Sequence, residues 1–217
     1  MANPKSIWLG TTKQRNSVEN EPQGENFFTN TDVLTSQSIL VRESIQNAID
    51  AKDTSSSSPV KMIFKLGEVP TETASKYFDN LYPRISASLG ESKVPGKGSC
   101  FYLAIEDFKT TGLLGSISSD KPADGADNSF WYFAWATGSS NKNEGTRGKN
   151  GVGKIVFPRS SSIKSQLVFS VRSRHNGLPK SILFGNALLK FHDFNGERWE
   201  PECRWMEVSD RSEERRV

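Results

Sequence analysis

A helical spacing of apolar residues is clearest in residues 36–52, which contain neither glycine nor proline. At about 100° per residue, Val41, Ile45, Ala48 and Ile49 fall on one side of a helix. The pattern predicts an amphipathic helix that buries this side against the core. A serine run closed by a proline comes next and is typical of a surface turn, so we expect the helix to end there.

Shorter apolar runs elsewhere in the chain are rich in β-branched and aromatic residues, which favour strands. These predicted strands cover residues 60–66, 100–108, 165–173 and 181–191. Residues 72–89 have a helical pattern despite Pro83. The mixture of helices and strands predicts an α+β fold, built as a sandwich of helices on a sheet rather than as a bundle or a barrel.

The polar composition of the two ends suggests a division of the chain into three parts. Residues 1–35 are rich in Asn, Thr, Gln and Glu, which predicts an N-terminal arm outside the core. Residues 36–200 carry the predicted helices and strands and are expected to form one domain. Residues 201–217 are interpreted as a C-terminal tail or the start of a following domain.

Composition excludes several classes of protein. The 217 residues are 35% hydrophobic with a mean hydropathy of −0.56, and no apolar run approaches the roughly 18 residues of a membrane helix, so no membrane association is expected. The N-terminus lacks the apolar stretch of a secretory signal, which predicts a cytoplasmic protein. Two cysteines and two histidines do not form a disulfide framework or a zinc motif. The net charge of +3 does not indicate a nucleic-acid partner.

Three oxygen-bearing side chains share one line of the predicted helix. Glu43, Asn47 and Asp50 are spaced i, i+4, i+7, within about 60° of arc and roughly opposite the apolar side. An amide oxygen on this line could hold a hard cation while a neighbouring carboxylate takes a proton from water, as nucleotide hydrolysis requires. The alternative interpretation is an ordinary solvated face of the helix.

A second candidate residue, Asp107, closes the apolar strand CFYLAIEDF and is followed by a turn containing Gly112. A carboxylate at this position could accept a hydrogen bond from an exocyclic amine such as that of adenine. Glu106 and Asp107 are adjacent in the strand and must point to opposite faces of the sheet. The alternative is that Asp107 only caps the following turn.

The third motif is the glycine-rich sequence GKNGVGK, which contains Gly148, Gly151, Gly153 and Lys154. Backbone N–H groups of such a segment can approach phosphate oxygens closely. The sequence nearly matches the P-loop pattern, so a P-loop NTPase is an alternative. It departs from that pattern at Ile155, where a hydroxyl is required, and at Pro158, which interrupts the helix expected there.

The order and spacing of the three motifs resemble those of the GHKL ATPase superfamily, which includes gyrase B, the heat-shock chaperone ATPases, sensor histidine kinases and MutL. The resemblance covers residues 35–175, and IEDFKTTGLLG and GKNGVGKIVFPRSS look like a poorly characterised bacterial group within it. It implies the Bergerat fold, a two-layer sandwich of helices on a mixed sheet with ATP bound beneath a glycine-rich lid. Lys109 stands where the family usually has the first glycine of its D-x-G-x-G motif.

The resemblance also implies a role for each site residue. Glu43 corresponds to the general base that activates water, and Asn47 to the ligand of the Mg²⁺ that bridges the ATP phosphates. Asp107 corresponds to the residue that holds the adenine amine, with Asp50 supporting the base-binding end and Gly112 allowing the turn. The phosphate-covering lid corresponds to Gly148, Gly151 and Gly153, with Lys154 as an added contact.

The expected activity is therefore magnesium-dependent ATP binding and hydrolysis to ADP and phosphate. Lid closure would be coupled to a homodimer formed through the N-terminal arm or to a downstream transducer domain or protein partner. No histidine occurs before His175, so the phosphoacceptor helix of a sensor kinase is not expected. The alternative function, from a different class, is a nucleotide-sensing interaction module that binds ATP without hydrolysing it.

Overall fold

A computed structural model describes residues 5–19, 36–119, 121–122, 124, 127–135 and 153–208. Helices and antiparallel strands alternate within these ranges, which confirms the predicted α+β class. No helix in the described ranges is both long enough and apolar enough to cross a lipid bilayer.

The described part of the chain contains five α-helices. They are α1 (Ser36–Asp50), α2 (Thr71–Phe78), α3 (Tyr82–Leu89), α4 (Ser129–Ala134) and α5 (Val156–Ser160). The predicted helix at 72–89 is divided in two, and Pro83 lies in the first turn of α3, where its missing N–H costs no helical hydrogen bond. A short 3₁₀ turn at Gly153–Ile155 precedes α5.

Seven strands are described. They are β1 (Lys5–Thr12), β2 (Lys61–Pro70), β3 (Ser99–Phe108), β4 (Ser165–Val171), β5 (Ser181–Leu188), β6 (His192–Phe194) and β7 (Glu197–Val208). Strands β1, β7, β5 and β4 lie in that order in one sheet, with β6 also paired to β7, while β2 and β3 form a separate hairpin. The four strands predicted from sequence are confirmed, with small shifts of their ends.

Both ends of the chain contribute to the main sheet, contrary to the prediction of an arm and a tail. Strand β1 pairs with β7 in antiparallel register, Trp8 opposite Trp205. Trp8, Cys203 and Trp205 are buried, and Trp8 Nε1 donates a hydrogen bond to Tyr77 O at 2.7 Å. The polar composition of residues 1–35 did not indicate this short apolar strand. Its burial depends on pairing with β7, which is almost 200 residues away in sequence.

Helices cover both faces of the main sheet, so the described structure has three layers rather than the two expected. Helices α2 and α3 pack on the face that carries Trp8 and Ala187, whereas α4 packs on the face that carries Phe184. Ala187 and Phe184 lie on opposite faces because side chains alternate along β5. All described strand pairs are antiparallel, so the mixed sheet implied by the resemblance is not observed in this part of the chain.

A buried cation fastens α3 to the edge of the sheet. The Arg84 guanidinium donates through Nε to His192 Nε2 at 3.3 Å and lies 4.4 Å above the ring of Trp199. The other ring nitrogen, His192 Nδ1, is 2.8 Å from Lys190 O. This arrangement requires a neutral imidazole whose Nδ1–H donates to the backbone and whose Nε2 accepts from Arg84.

Helix α1 is rotated relative to the prediction from its apolar pattern. Ala48 is buried as expected, but Val41, Ile45 and Ile49 are exposed. The buried side instead carries Ile39, Leu40, Ser44 and Ala48. Ser44 is accommodated there because its hydroxyl donates to Leu40 O at 2.7 Å, which satisfies the buried polar group within the helix.

Candidate functional site

The rotation of α1 places two of its three predicted site residues beside the buried side. Glu43 and Asn47 are half-buried, whereas Asp50 is exposed and accepts a hydrogen bond from Gln46 Nε2 at 2.8 Å. Within the described residues, no hydrogen bond holds the Asn47 amide. Asn47 therefore presents an amide oxygen that can coordinate a hard cation.

The Glu43 carboxylate is engaged by its neighbour Arg42, which sequence reasoning did not consider. Arg42 Nη2 and Nε lie 2.9 and 3.2 Å from Glu43 Oε1. The Glu43 side chain is 21% exposed and that of Arg42 is 59% exposed. A general base must have an oxygen free to accept a proton, and this contact leaves Oε2 for that purpose.

The C-terminal end of α1 is joined directly to the segment that follows β3. Thr111 N–H donates to Ala51 O at 2.8 Å, and Asp53 N–H donates to Lys109 O at 2.9 Å. Lys52 and Thr110 form an isolated β-bridge between these hydrogen bonds. The residues after Asn47 and Asp50 are thus fixed against the residues after Asp107, although neither motif adjoins the other in sequence.

Asp107 lies near the end of β3, on the face of the hairpin that contacts the helices. Ile105, two residues earlier and therefore on the same face, packs against a cluster formed by Ile39, Leu40 and Val156. Asp107 itself is exposed, and its Oδ1 accepts a short hydrogen bond from Thr110 Oγ1. The turn-capping contact of the alternative interpretation is present, and Oδ2 has no partner in the described part of the chain.

The turn after Asp107 has two residues with positive φ. Lys109 has a φ of 65°, the left-handed conformation that glycine adopts without strain, at the position where the GHKL motif has glycine. Gly112 has a φ of 69°, and a Cβ atom there would overlap Val171 O and lie 2.9 Å from Ser170 Oγ. The turn therefore packs against β4 so closely that residue 112 must lack a side chain.

Only part of the glycine-rich motif can be compared with the structure, since Gly148 and Gly151 lie outside the described residues. Gly153 opens the 3₁₀ turn Gly153–Ile155, and α5 follows directly. Val156 of α5 is buried against Ile39 and Leu40 of α1. The end of the motif is therefore anchored to the same helix that carries Glu43 and Asn47.

Lys154 points into the protein. Its Nζ donates a short hydrogen bond to Tyr132 O of α4. Burial lowers the pKa of Lys154 to about 8, with a further lowering by the nearby Arg204 guanidinium and an opposing effect of Glu202. In this conformation the amine is bound to the backbone of α4, and a contact with phosphate would require it to leave Tyr132.

The region after Lys154 also bears on the P-loop alternative. A P-loop is followed by a helix of several turns and lies at the end of a strand in a parallel sheet. Here α5 ends at Ser160 after five residues, with Pro158 buried inside it, and the described strand pairs are antiparallel. These features disfavour a P-loop.

A shallow depression of about 620 Å³ occupies a different side of α1. Its lining consists of Gln37, Ser38, Val41, Arg42, Ile45 and Gln46. None of the predicted site residues contributes to it. The exposed apolar residues of α1 account for this surface, which is separate from the flank that carries Asn47.

Two further residues of interest, Arg172 and Thr110, were not predicted from the sequence. Arg172 follows β4 and is only 2% exposed, and Thr110 caps Asp107. Alternation along SQLVFSVRS places Arg172 on the same face as Val168 and Ser170. This pattern could have indicated from the sequence that Arg172 is buried. Nothing in the sequence marked Thr110 in particular.

Fold and site together define an α+β protein in which one helix joins a strand-end carboxylate and the end of a glycine-rich segment. Comparison of the chain with models of known protein families, with curated proteins and with solved structures found no match. Across the described ranges, no group of three or more His, Cys, Asp or Glu side chains is arranged to hold a metal ion.

Proposed function

We propose that this protein is a magnesium-dependent ATPase of GHKL type, with a Bergerat-like nucleotide site between α1 and the end of β3. The observation that carries the proposal is that segments adjoining the other two motifs both contact α1 or its C-terminal end, and α1 itself bears the first motif. The segment after Asp107 is hydrogen-bonded to Ala51, and Val156, just after the glycine-rich motif, packs on Ile39. If the motif matches were coincidental, there would be no reason for the segments beside them to contact the same helix.

The conformation of Lys109 supports the proposal independently. A lysine rarely adopts a φ of 65°, since the left-handed region costs an L-residue roughly 1–2 kcal/mol. The backbone therefore retains the shape of a glycine turn although the glycine is absent. This shape leaves Asp107 Oδ2 available to accept a hydrogen bond from the exocyclic amine of adenine.

In the proposed site, the half-buried Asn47 would supply an amide oxygen to Mg²⁺, and the phosphates of ATP would supply further oxygens. The ion would neutralise charge that develops on the phosphates during transfer. Glu43 would orient and deprotonate the attacking water through Oε2. Asp50, exposed at the end of α1, would contribute through water at the adenine end.

We further propose that the segment from Gly148 to Lys154 covers the phosphates as a lid. Closure would release Lys154 from Tyr132 O, and the positively charged amine would then be available to phosphate. Lid closure would be coupled to association with a second copy or with a protein partner. Because β1 pairs with β7 of its own chain, an exchange of residues 5–12 between two copies would require this pairing to break.

The binding test is calorimetric titration of the full chain with Mg-ATP. Asp107→Asn exchanges an acceptor oxygen for a donor and should weaken binding by about 1–3 kcal/mol, roughly 5- to 150-fold. Glu106→Gln is the matched control, since its side chain lies on the opposite face of β3 and should leave the affinity unchanged. Equal affinities of wild type and Asp107→Asn would contradict the proposed adenine contact.

The contact between Arg42 and Glu43 favours a second candidate function, that of a module that binds ATP without turnover. The Arg42 guanidinium occupies Oε1 of Glu43 and would compete with an attacking water for the carboxylate. If Glu43 is catalytic, Glu43→Gln abolishes phosphate release but retains Mg-ATP binding, and Arg42→Ala increases release. Wild type that binds Mg-ATP but releases no phosphate would support the sensing module instead.

A further inference from the structure

Arg172 is a buried arginine whose side chain has no hydrogen-bond partner in the described part of the chain. It directly follows β4, and its backbone N–H donates to Lys180 O at 2.9 Å. Its side chain is 2% exposed, yet Nε, Nη1 and Nη2 make no hydrogen bond. Most buried polar groups in folded proteins are hydrogen-bonded, so this guanidinium requires an explanation.

The guanidinium lies beneath α4 and near the turn that contains Gly112. Alternation along β4 puts Arg172 on the same face as Ser170, whose hydroxyl accepts a hydrogen bond from Leu113 N–H at 2.8 Å. The Arg172 Cζ atom is 5.9 Å from the centre of the Phe130 ring. Among the described residues, the groups placed near the guanidinium by these contacts are one aromatic face and a β4 hydroxyl already in use.

These surroundings do not compensate for the burial of a full positive charge. Removing an ion from water costs considerably more free energy than a single cation–π contact restores. Nearby arginines have acceptors: Arg174 Nη2 is 3.5 Å from Asp127 Oδ2, and Arg204 Nη2 is 2.7 Å from Glu202 Oε2. Burial accordingly lowers the pKa of Arg172.

We propose that Arg172 is the anchor of a binding position for a phosphate group, located between α4 and the turn around Gly112. The guanidinium offers five N–H donors in a planar fork that matches two oxygens of a phosphate. Two parallel N–H···O bonds to one phosphate also fix its orientation, which a point charge would not.

The phosphate could be free or part of a nucleotide, since both present the same oxygens to Arg172. The side chain is almost completely covered, and α4 is hydrogen-bonded to the turn through Phe130 N–H to Leu114 O at 2.8 Å and Leu114 N–H to Ser129 Oγ at 2.7 Å. Phosphate would therefore reach Arg172 only when these hydrogen bonds open. The position does not depend on the proposed ATPase activity. Inorganic phosphate alone is sufficient to occupy it.

The test is thermal unfolding of the full chain with inorganic phosphate as the probe, against chloride at equal ionic strength. Phosphate should raise the Tm of wild type by roughly 5–10 °C when it reaches about 100 times its Kd. Arg172→Met should abolish this rise without lowering the Tm in chloride, because the substitution removes an unpaired buried charge. The matched control Arg174→Met should retain the rise.

Three results would overturn the proposal. One is the absence of any phosphate-dependent rise in wild type, and another is a full rise in Arg172→Met. The third is a lower Tm of Arg172→Met in chloride, which would indicate that the guanidinium stabilises the fold by itself. Failure of Arg172→Met to fold counts as this third result. Arg172→Lys is the second variant and should retain a smaller rise, because a lysine keeps the charge but lacks the fork.

Titrations with ATP, adenosine and inorganic phosphate distinguish a nucleotide phosphate from free phosphate. They also separate phosphate binding at Arg172 from the proposed ATPase activity. An Arg172-dependent rise with ATP, beyond that with adenosine, would identify a nucleotide phosphate as the ligand. A rise with inorganic phosphate but no Arg172-dependent gain from ATP would identify free phosphate. Asp107→Asn should leave the response to inorganic phosphate unchanged even where it weakens ATP binding.

Discussion

Replacement of Gly112 by alanine tests whether the turn after β3 is packed against β4 as closely as described. The added Cβ would overlap Val171 O and approach Ser170 Oγ to 2.9 Å, in a residue with a φ of 69°. The left-handed conformation alone costs alanine about 1–2 kcal/mol. The overlap can be relieved only by separating the turn from β4.

Separating the turn from β4 would break hydrogen bonds. Two of them join the turn to β4: Ser173 N–H to Thr111 O at 3.0 Å, and Leu113 N–H to Ser170 Oγ at 2.8 Å. Each is worth about 1 kcal/mol net. We therefore expect Gly112→Ala to lower the free energy of unfolding by about 3–4 kcal/mol, and the Tm by roughly 6–15 °C for a chain of this size.

The measurement is denaturant and thermal unfolding followed by circular dichroism, with Gly177→Ala as the matched control. Gly177 has a φ of 82°, and a Cβ there would meet no atom within 4 Å. Its substitution should cost only the conformational strain of about 1–2 kcal/mol. Equal losses of stability in the two variants would refute the packing of the turn on β4.

Further predictions concern the titratable and strained residues. Lys109→Gly should raise the free energy of unfolding by up to about 1 kcal/mol in urea melts, because glycine adopts the left-handed conformation freely, whereas Lys97→Gly, at a position without positive φ, should lower it. Burial lowers the pKa of His192, so on acidification the unfolded chain takes up the imidazole proton before the folded chain does. The free energy of unfolding of wild type should therefore decrease as the pH falls below about 6.5. In melts at several pH values His192→Gln should reduce this pH dependence, whereas the control His175→Gln, at an exposed position, should not. Burial lowers the pKa of Lys154 to about 8, so between pH 8 and pH 10.5 the unfolded chain binds a proton that the folded chain has lost. The free energy of unfolding of wild type should therefore rise with pH across this range relative to that of Lys154→Met, and equal pH profiles of the two proteins would contradict this.

Local pattern was sufficient to predict most secondary structure, because it reflects the period of each element. The strand ending at Asp107, the strands at 165–173 and 181–191 and the helix at 36–52 were all present close to the predicted bounds. The helix predicted at 72–89 despite Pro83 proved to be two helices, which are separated at residues 79–81 just before that proline. The α+β class followed from the same elements.

Which face of an element is buried was determined by the tertiary structure. Val41, Ile45 and Ile49 form the most apolar line of α1, yet Ile39, Leu40 and Ser44 are the ones buried, since Val156 and Ile105 pack on that side. The contact between the end of α1 and the turn after β3 depends on backbone hydrogen bonds that no side-chain pattern encodes. The cover over Arg172 likewise depends on α4 crossing β4.

The sequence by itself therefore predicted four of the strands, two of the helical regions, the order of the three motifs and the candidate residues in each. Only the tertiary structure decided that β1 and β7 complete the sheet, that Lys109 adopts a glycine-like conformation and that Arg172 is buried without an acceptor. The physical reason is range: propensity and periodicity act over a few residues, whereas burial and strand pairing depend on segments that are distant in sequence and meet only in the folded chain.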